Sequence, residues 1–286
     1  MTSTSATIDI TKFAPMPESL VKLASMVDDL DMSSREITTI IEGDEILSSN
    51  LLRAANSAYS GSIRKITNIR DAVVRIGYAQ ILRMAVGEHL YSMMNKPIVQ
   101  YGLGLHELWL HSIVAAIAAE NLEDVTGRSV PGISFTAALL HDLGKLILNQ
   151  NIDADVFNNI EQVMMQNKIT WLDSERKVLG TDHAEIGSTL ARMWGFPDGI
   201  VFAIENHHNP DSNPHPVQDV VHIADIVAKF IGVGSGRSQM NFYKSTSSAL
   251  KLGLTETGFE SLCAKVKVEF DNKAKYLISN DISPEP

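Results

Sequence analysis

Phe135-Thr136-Ala137-Ala138-Leu139-Leu140-His141-Asp142-Leu143-Gly144-Lys145 is the stretch on which the reading of this chain turns. Its apolar run predicts a buried helix over residues 134–149, with an imidazole and a carboxylate side by side in its interior. An ionised Asp142 in such a place is costly unless something compensates it. Neutral imidazole nitrogen and carboxylate oxygen together suit Zn, Mn or Fe. The plainer alternative pairs Asp142 with Lys145 one turn on and leaves His141 as a satisfied core histidine.

Residues elsewhere in the chain weigh on that choice. His111 lies on a helix predicted over 105–124, His183 opens one over 183–194, and His207-His208 end one over 198–208. Asp225 sits inside the apolar segment His222-Ile223-Ala224-Asp225-Ile226-Val227 of a helix over 216–232. Donors on separate helices can converge on an ion. Glu107, four residues before His111 on the same helix face, reads either as a further ligand or orienting group, or as a helix-start glutamate favoured by the dipole. His222 reads as packing beside the motif, and His89, His106 and His215 as surface or structural histidines.

Helical spacing extends to both ends. Pro17 marks the first helical turn before Leu20, Leu23, Ala24 and Val27, and Ser33 or Ser34 can cap a second helix that Gly43 stops. A third helix runs from Ile46 to Ala58, ending at Tyr59-Ser60-Gly61, and two more over residues 72–86 hinge near Gly77. Further helices are expected at 153–168 and 171–179, with two terminal ones within 240–279. No alternation of strand type and no repeat stands out, so the fold class is all-α: a helical bundle packed on a second helical core. The expected divisions are a flexible N-terminus (1–14), an N-terminal helical subdomain (15–100), a metal-site helical subdomain (101–232), a flexible glycine-rich segment (232–236) and a C-terminal extension and tail (237–286).

Composition narrows the function. The chain has 286 residues, of which 44% are hydrophobic and 20% charged, enough to bury a substantial core. With 24 Lys and Arg against 34 Asp and Glu, the formal charge is −10, which argues against a phosphate-backbone footprint and against nucleic acid as a partner. The single cysteine, Cys263, reads as core and fits a reducing compartment. No signal-like start or spanning apolar segment is visible, so a cytoplasmic protein without membrane attachment is expected.

The order His111, His141-Asp142, Asp225 resembles the pattern of the HD superfamily of metal-dependent phosphohydrolases, and His183 and His207-His208 look like the extra ligands of its two-metal members. Leu51-Leu52-Arg53-Ala54-Ala55-Asn56-Ser57-Ala58-Tyr59, Trp109-Leu110-His111-Ser112, Leu139 to Lys145, Asp182-His183-Ala184-Glu185-Ile186-Gly187 and Trp194-Gly195-Phe196-Pro197 are similar to successive blocks of the HDOD family, over about residues 15–230. The resemblance implies a first metal on His111, His141, Asp142 and Asp225. It implies a second on His183, His207 and His208, with Asp142 bridging. Asp142 and Lys145 would be the catalytic groups, Lys145 standing near an incoming phosphate. The cofactor implied is one or two divalent transition metals, Fe, Mn or Zn.

One stretch departs from the related cyclic-dinucleotide phosphodiesterases. Those follow their paired histidines with Glu and a Gly-Tyr-Pro turn, whereas this chain has His207-His208-Asn209-Pro210-Asp211. HDOD members resemble regulatory modules, many with part of the ligand set lost, and this sequence retains it. The leading expectation is therefore a signal-transduction protein, non-hydrolytic or weakly active, with an unidentified protein partner and room for a small phosphate-containing ligand. Residues 15–95 support it, being a third of the chain with no catalytic group. The rival is an active phosphohydrolase of a nucleotide or other small phosphoester, and a third reading has structural metal or none.

Overall fold

The computed structural model describes residues 8–29, 33–57, 66–211, 215–234, 236–237 and 245–278, with 273–278 as backbone only. Among these residues the chain is all-helical apart from one isolated bridge between Ile98 and Leu103. Several segments read from sequence lie outside them: residues 1–7 of the N-terminus, residues 58–61, residue 235, residues 240–244, and the tail from 279.

The first half is built from α1 (Glu18–Met26), α2 (Ser34–Glu42), α3 (Glu45–Ser57), α4 (Ile69–Ile76) and α5 (Tyr78–Met94). Local chemistry sets their ends. Ser33 forms a capping box with Glu36 at the start of α2, and Asn68 accepts the Asp71 N–H at the start of α4. Pro17 stands at the N-cap of α1, one residue before the turn expected of it, because its backbone there is extended. Gly77, at φ +82° and ψ 147°, separates α4 from α5 in a conformation other residues rarely adopt. One face of each helix faces inward through Leu20 and Leu23, Ile37 and Ile41, Leu47 and Leu51, Ala72 and Val73, and Ile81 and Leu82.

The second half comprises α6 (Glu107–Thr126), α7 (Ser134–Leu140), α8 (Leu143–Asn151), α9 (Ala154–Asn167), α10 (Trp171–Leu179), α11 (His183–Met193), α12 (Asp198–Asn206) and α13 (Pro216–Ile231), followed by α14 (Thr246–Leu252) and α15 (Glu256–Ile278). Helices α6 and α13 are buried on nearly every side and pack on each other; most of α6 accordingly lacks a polar stripe, whereas the polar row Gln218, His222, Asp225 and Lys229 of α13 is itself buried. Around them lie α7, α12 and α15, while α11 packs on α8 and α12. A continuous apolar core runs from Phe13 to Phe270, joined across the halves where α5 meets α6 and α7.

The helix expected over 134–149 is interrupted. His141 ends α7 and Asp142, at φ −100° and ψ 9°, begins α8. The reason lies across the helix pair. A Cβ on Gly144 would collide with the His183 carbonyl oxygen, and one on Gly187 would press on Gly144 N. Two glycines thus let α8 and α11 touch backbone to backbone, and the turn at His141–Asp142 sets α8 on that course. No helix of the described residues is long and apolar enough to cross a membrane.

Candidate metal centre

Seven side chains named from sequence meet between α6, the α7–α8 turn, α11, α12 and α13. Their ligand atoms form two groups: His111, His141 and Asp225 in one, and Asp142, His183, His207 and His208 in the other. Asp142 stands between them. Its Oδ2 lies 3.5 Å from His111 Nε2 and 3.4 Å from His141 Nε2, while Oδ1 lies 3.6 Å from His183 Nε2 and 3.9 Å from His207 Nε2. Asp225 Oδ1 lies 3.1 Å from His111 Nε2 and 3.6 Å from His141 Nε2.

The histidines are oriented from behind. Nδ1 of His111, His141 and His207 faces the carbonyls of Val233, Ala138 and Ile204 at 3.0, 2.7 and 2.7 Å. His183 Nδ1 meets Glu175 Oε2 at 2.6 Å. A carbonyl only accepts, so each of the first three rings donates from Nδ1 and presents Nε2 to the centre, where a bound ion would take the place of any proton on it. There Nε2 meets carboxylate oxygens, which are acceptors. Acceptors converging in a buried space call for a positive species among them.

Three atoms make the point directly. His141 Nε2, Asp142 Oδ1 and His207 Nε2 are buried without a hydrogen-bond partner, a costly condition unless something binds them. Donor atoms at ~2.0–2.2 Å from a common ion stand ~3.0–3.5 Å apart, close to the separations found here. The residues present therefore fit a divalent transition metal. Burial and neighbouring cations push His207 and His208 well below the ordinary imidazole range, which keeps their lone pairs available. Burial opposes charge on His141 as well, but Asp142 and Asp225 outweigh it and push that ring up to about 9.

Sequence reasoning missed part of the surroundings. Glu175, fully buried, accepts from Tyr101 Oη at 2.6 Å, Trp171 Nε1 at 2.7 Å and the His183 backbone N–H at 3.0 Å, besides the His183 ring. Burial would raise its pKa, yet His183 and the other donors hold it below the usual value. This is a carboxylate that orients a histidine. The only sequence signal was the Trp171/Glu175 spacing of one helical turn. Lys229 was also missed: its Nζ lies 2.6 Å from Asp225 Oδ2, four residues along α13. An ammonium inside an apolar helix was the visible clue.

Lys145 Nζ bonds Asp142 Oδ2 at 2.6 Å, so the ion pair of the plainer reading exists within the cluster rather than in place of it. Each carboxylate is held well below its usual range, against burial, by its lysine and the histidines. Glu107 lies apart from the two groups. Its Oε2 accepts the Gly104 N–H at 2.7 Å, as the helix-start alternative expects, and it is in neither group of ligand atoms. His222 packs behind the centre, Nδ1 donating to the His207 carbonyl at 2.7 Å and Nε2 accepting the Ser245 N–H at 2.9 Å. The glycine segment expected to be flexible contributes as well. Val233 holds His111, and Gly234 packs against Glu107 O and His111 Cβ at a positive φ that only glycine takes easily.

These features define an all-helical protein with an internal His/Asp cluster, and the comparisons with known proteins agree on the all-helical fold. The HDOD domain family matches residues 13–210, more than half of the chain, and the chain belongs to that family. Asp225 and Lys229 lie beyond the matched residues. The fold is shared with an HDOD domain protein of unknown function from Geobacter sulfurreducens, at TM-score 0.63 and 24% identity, covering 95% of this chain and 92% of that one. It is shared too with a protein of Shewanella amazonensis SB2B provisionally named a phosphohydrolase, at TM-score 0.65 and 22% identity, covering 97% and 99%. A Marinobacter aquaeolei VT8 protein, provisionally named for signal transduction, matches at TM-score 0.71 and 22% identity over 92% and 59%. Curated relatives include an uncharacterized protein of Treponema pallidum, 24% identical over 76% of this chain and 42% of its own length. Another is ribonuclease Y of Chloroflexus aurantiacus, 26% identical over 60% of this chain and 27% of its own. The chain spans less than half the length of these two.

Proposed function

We propose that this chain is an HDOD-type signal-transduction protein whose His/Asp centre binds one or two divalent transition-metal ions. The observation that carries the reading is the closure of the centre. The donors and both lysines lie beneath the surface, and His208, with 16% of its side chain exposed, is the ligand nearest solvent. Such a centre is suited to retaining an ion and responding to it more than to passing substrate through.

His111, His141, Asp142 and Asp225 would hold one ion, and His183, His207 and His208 the other, with Asp142 shared. A bound ion supplies Lewis acidity and lowers the pKa of water. The chain's own residues supply the rest: backbone carbonyls and Glu175 fix the imidazoles, and Lys145 and Lys229 hold the carboxylates. The first-half helices are the surface assigned to an as yet unidentified protein partner.

Anaerobic purification with elemental analysis tests the centre. At least one equivalent of Fe, Mn or Zn is expected, and none in Asp142→Ala. Pull-down from the native host, with disruption of the gene, tests the signalling role. Absence of any regulatory effect overturns it. A second reading, phosphohydrolysis of a nucleotide or other small phosphoester, is favoured by the placement of Asp142 between two donor groups with Lys145 beside it. It requires phosphate release that depends on Mn or Fe and disappears in Asp142→Ala.

A further inference from the structure

The charges enclosed with the donors are few enough to count. Asp142, Asp225 and Glu175 are carboxylates, and Lys145 and Lys229 are ammoniums, all within the interior. Two other buried acids are settled elsewhere: Asp182 pairs with Arg176 at 2.5 Å, and Asp219 with Lys251 at 3.2 Å. With the ligand histidines neutral, as they must be to bind an ion, these groups carry one net negative charge. One divalent ion brings it to plus one, and a second to plus three.

A low-dielectric interior does not tolerate such an excess without a counter-charge. The two lysines create the excess. Without them, two divalent ions among three carboxylates would leave only plus one. An anion of the phosphate class carries ~1.5–2 negative charges near neutral pH and presents several acceptor oxygens. It would return a two-ion centre to nearly the charge of the one-ion centre.

We propose that the centre takes a single divalent ion by itself and a second only together with a phosphate-class anion, because Lys145 and Lys229 have already neutralised two of its carboxylates. The inference rests on the metal-binding reading above and adds the condition for its second ion. Lys229 is the sharper test of the pair, since it stands on Asp225 Oδ2, the oxygen facing the solvent-side ligand His208 at 4.0 Å.

The experiment is calorimetric titration of the metal-stripped full chain with Mn²⁺, bound metal being counted by elemental analysis, with and without inorganic phosphate. About one equivalent is expected without phosphate and about two with it, phosphate tightening the second ion at least ~10-fold, within the ordinary range of coupling between sites. Lys229→Gln, which removes one positive charge, is expected to bind the second ion without phosphate. Lys229→Arg, which keeps the charge, is expected to retain the requirement. Lys145→Gln removes the same charge from the other carboxylate and serves if Lys229→Gln fails to fold.

Two equivalents without phosphate, at an affinity that phosphate leaves unchanged, overturn the inference while the metal centre stands. One equivalent in both buffers does the same. No bound ion in either buffer overturns the metal reading and this inference with it. Equal shifts in Lys229→Gln and Lys229→Arg show that shape, not charge, is responsible.

Discussion

The two halves of the chain bury different things. Among the described residues before His111, the interior is apolar, and no polar or charged residue besides tyrosine is buried. From His111 onward it encloses histidines, carboxylates and lysines in number. The first half is stabilised by apolar contact and helix caps, which need only approximate shape. The second half encloses groups that are each unfavourable alone and acceptable only together. Chemistry can reside in the second half, while the first offers an apolar framework.

The contrast can be broken by substitution. The largest effect is expected at Asp142→Ala, which strands Lys145 in the interior and removes the oxygens shared by two donor groups. Breaking a buried pair costs ~3–5 kcal/mol, and urea denaturation should show a loss of that size with loss of bound metal. A variant as stable as the parent would erase the distinction. Leu23→Ala, at a fully buried site in α1, should lose ~2–5 kcal/mol, yet the folded fraction should bind as much metal as the parent.

Next comes Glu175→Gln, which removes the charge behind His183 while leaving an oxygen for Tyr101. Metal affinity should weaken by ~10–100-fold, read by competition with a chelator. The pH profile of the metal-stripped protein should distinguish the halves further. His207, His208 and His222 have depressed pKa values, so the stability they contribute is full above the ordinary imidazole pKa of ~6.5 and is lost as pH falls below it. His141 is raised to about 9, so its contribution is full below ~6.5 and declines as pH rises through 9. Melting temperature should peak near neutrality, and a monotonic profile would count against this assignment. The smallest effect is Ser33→Ala, which removes one cap in the first half at ~0.5–2 kcal/mol and leaves that profile unchanged.

Much of this was legible in the sequence. Helical spacing located most elements, because each buries a face whose period shows. His141, Asp142 and Asp225 stand out as ionisable groups inside apolar helices, while His111, His183, His207 and His208 were named from their places on separate helices and from the resemblance to the HD superfamily. The turn at His141–Asp142 was not legible, since it arises from backbone contact between Gly144 and α11, far along the chain. Glu175 escaped for a similar reason: its partners Tyr101 and His183 are distant in sequence, and α10 reads as an ordinary surface helix. Lys229 was visible but unassigned, and Val233 lay in a glycine-rich segment whose composition suggested a linker.

The glycine contact between α8 and α11 makes the centre lopsided. Gly144 and Gly187 bring the backbones of α8 and α11 into direct contact, so Asp142 and His183 sit on one closely packed helix pair. On the opposite side α13 carries Asp225 and, through His222, accepts the Ser245 N–H at the start of α14. The C-terminal helices are thus tied by a hydrogen bond to the helix that supplies Asp225.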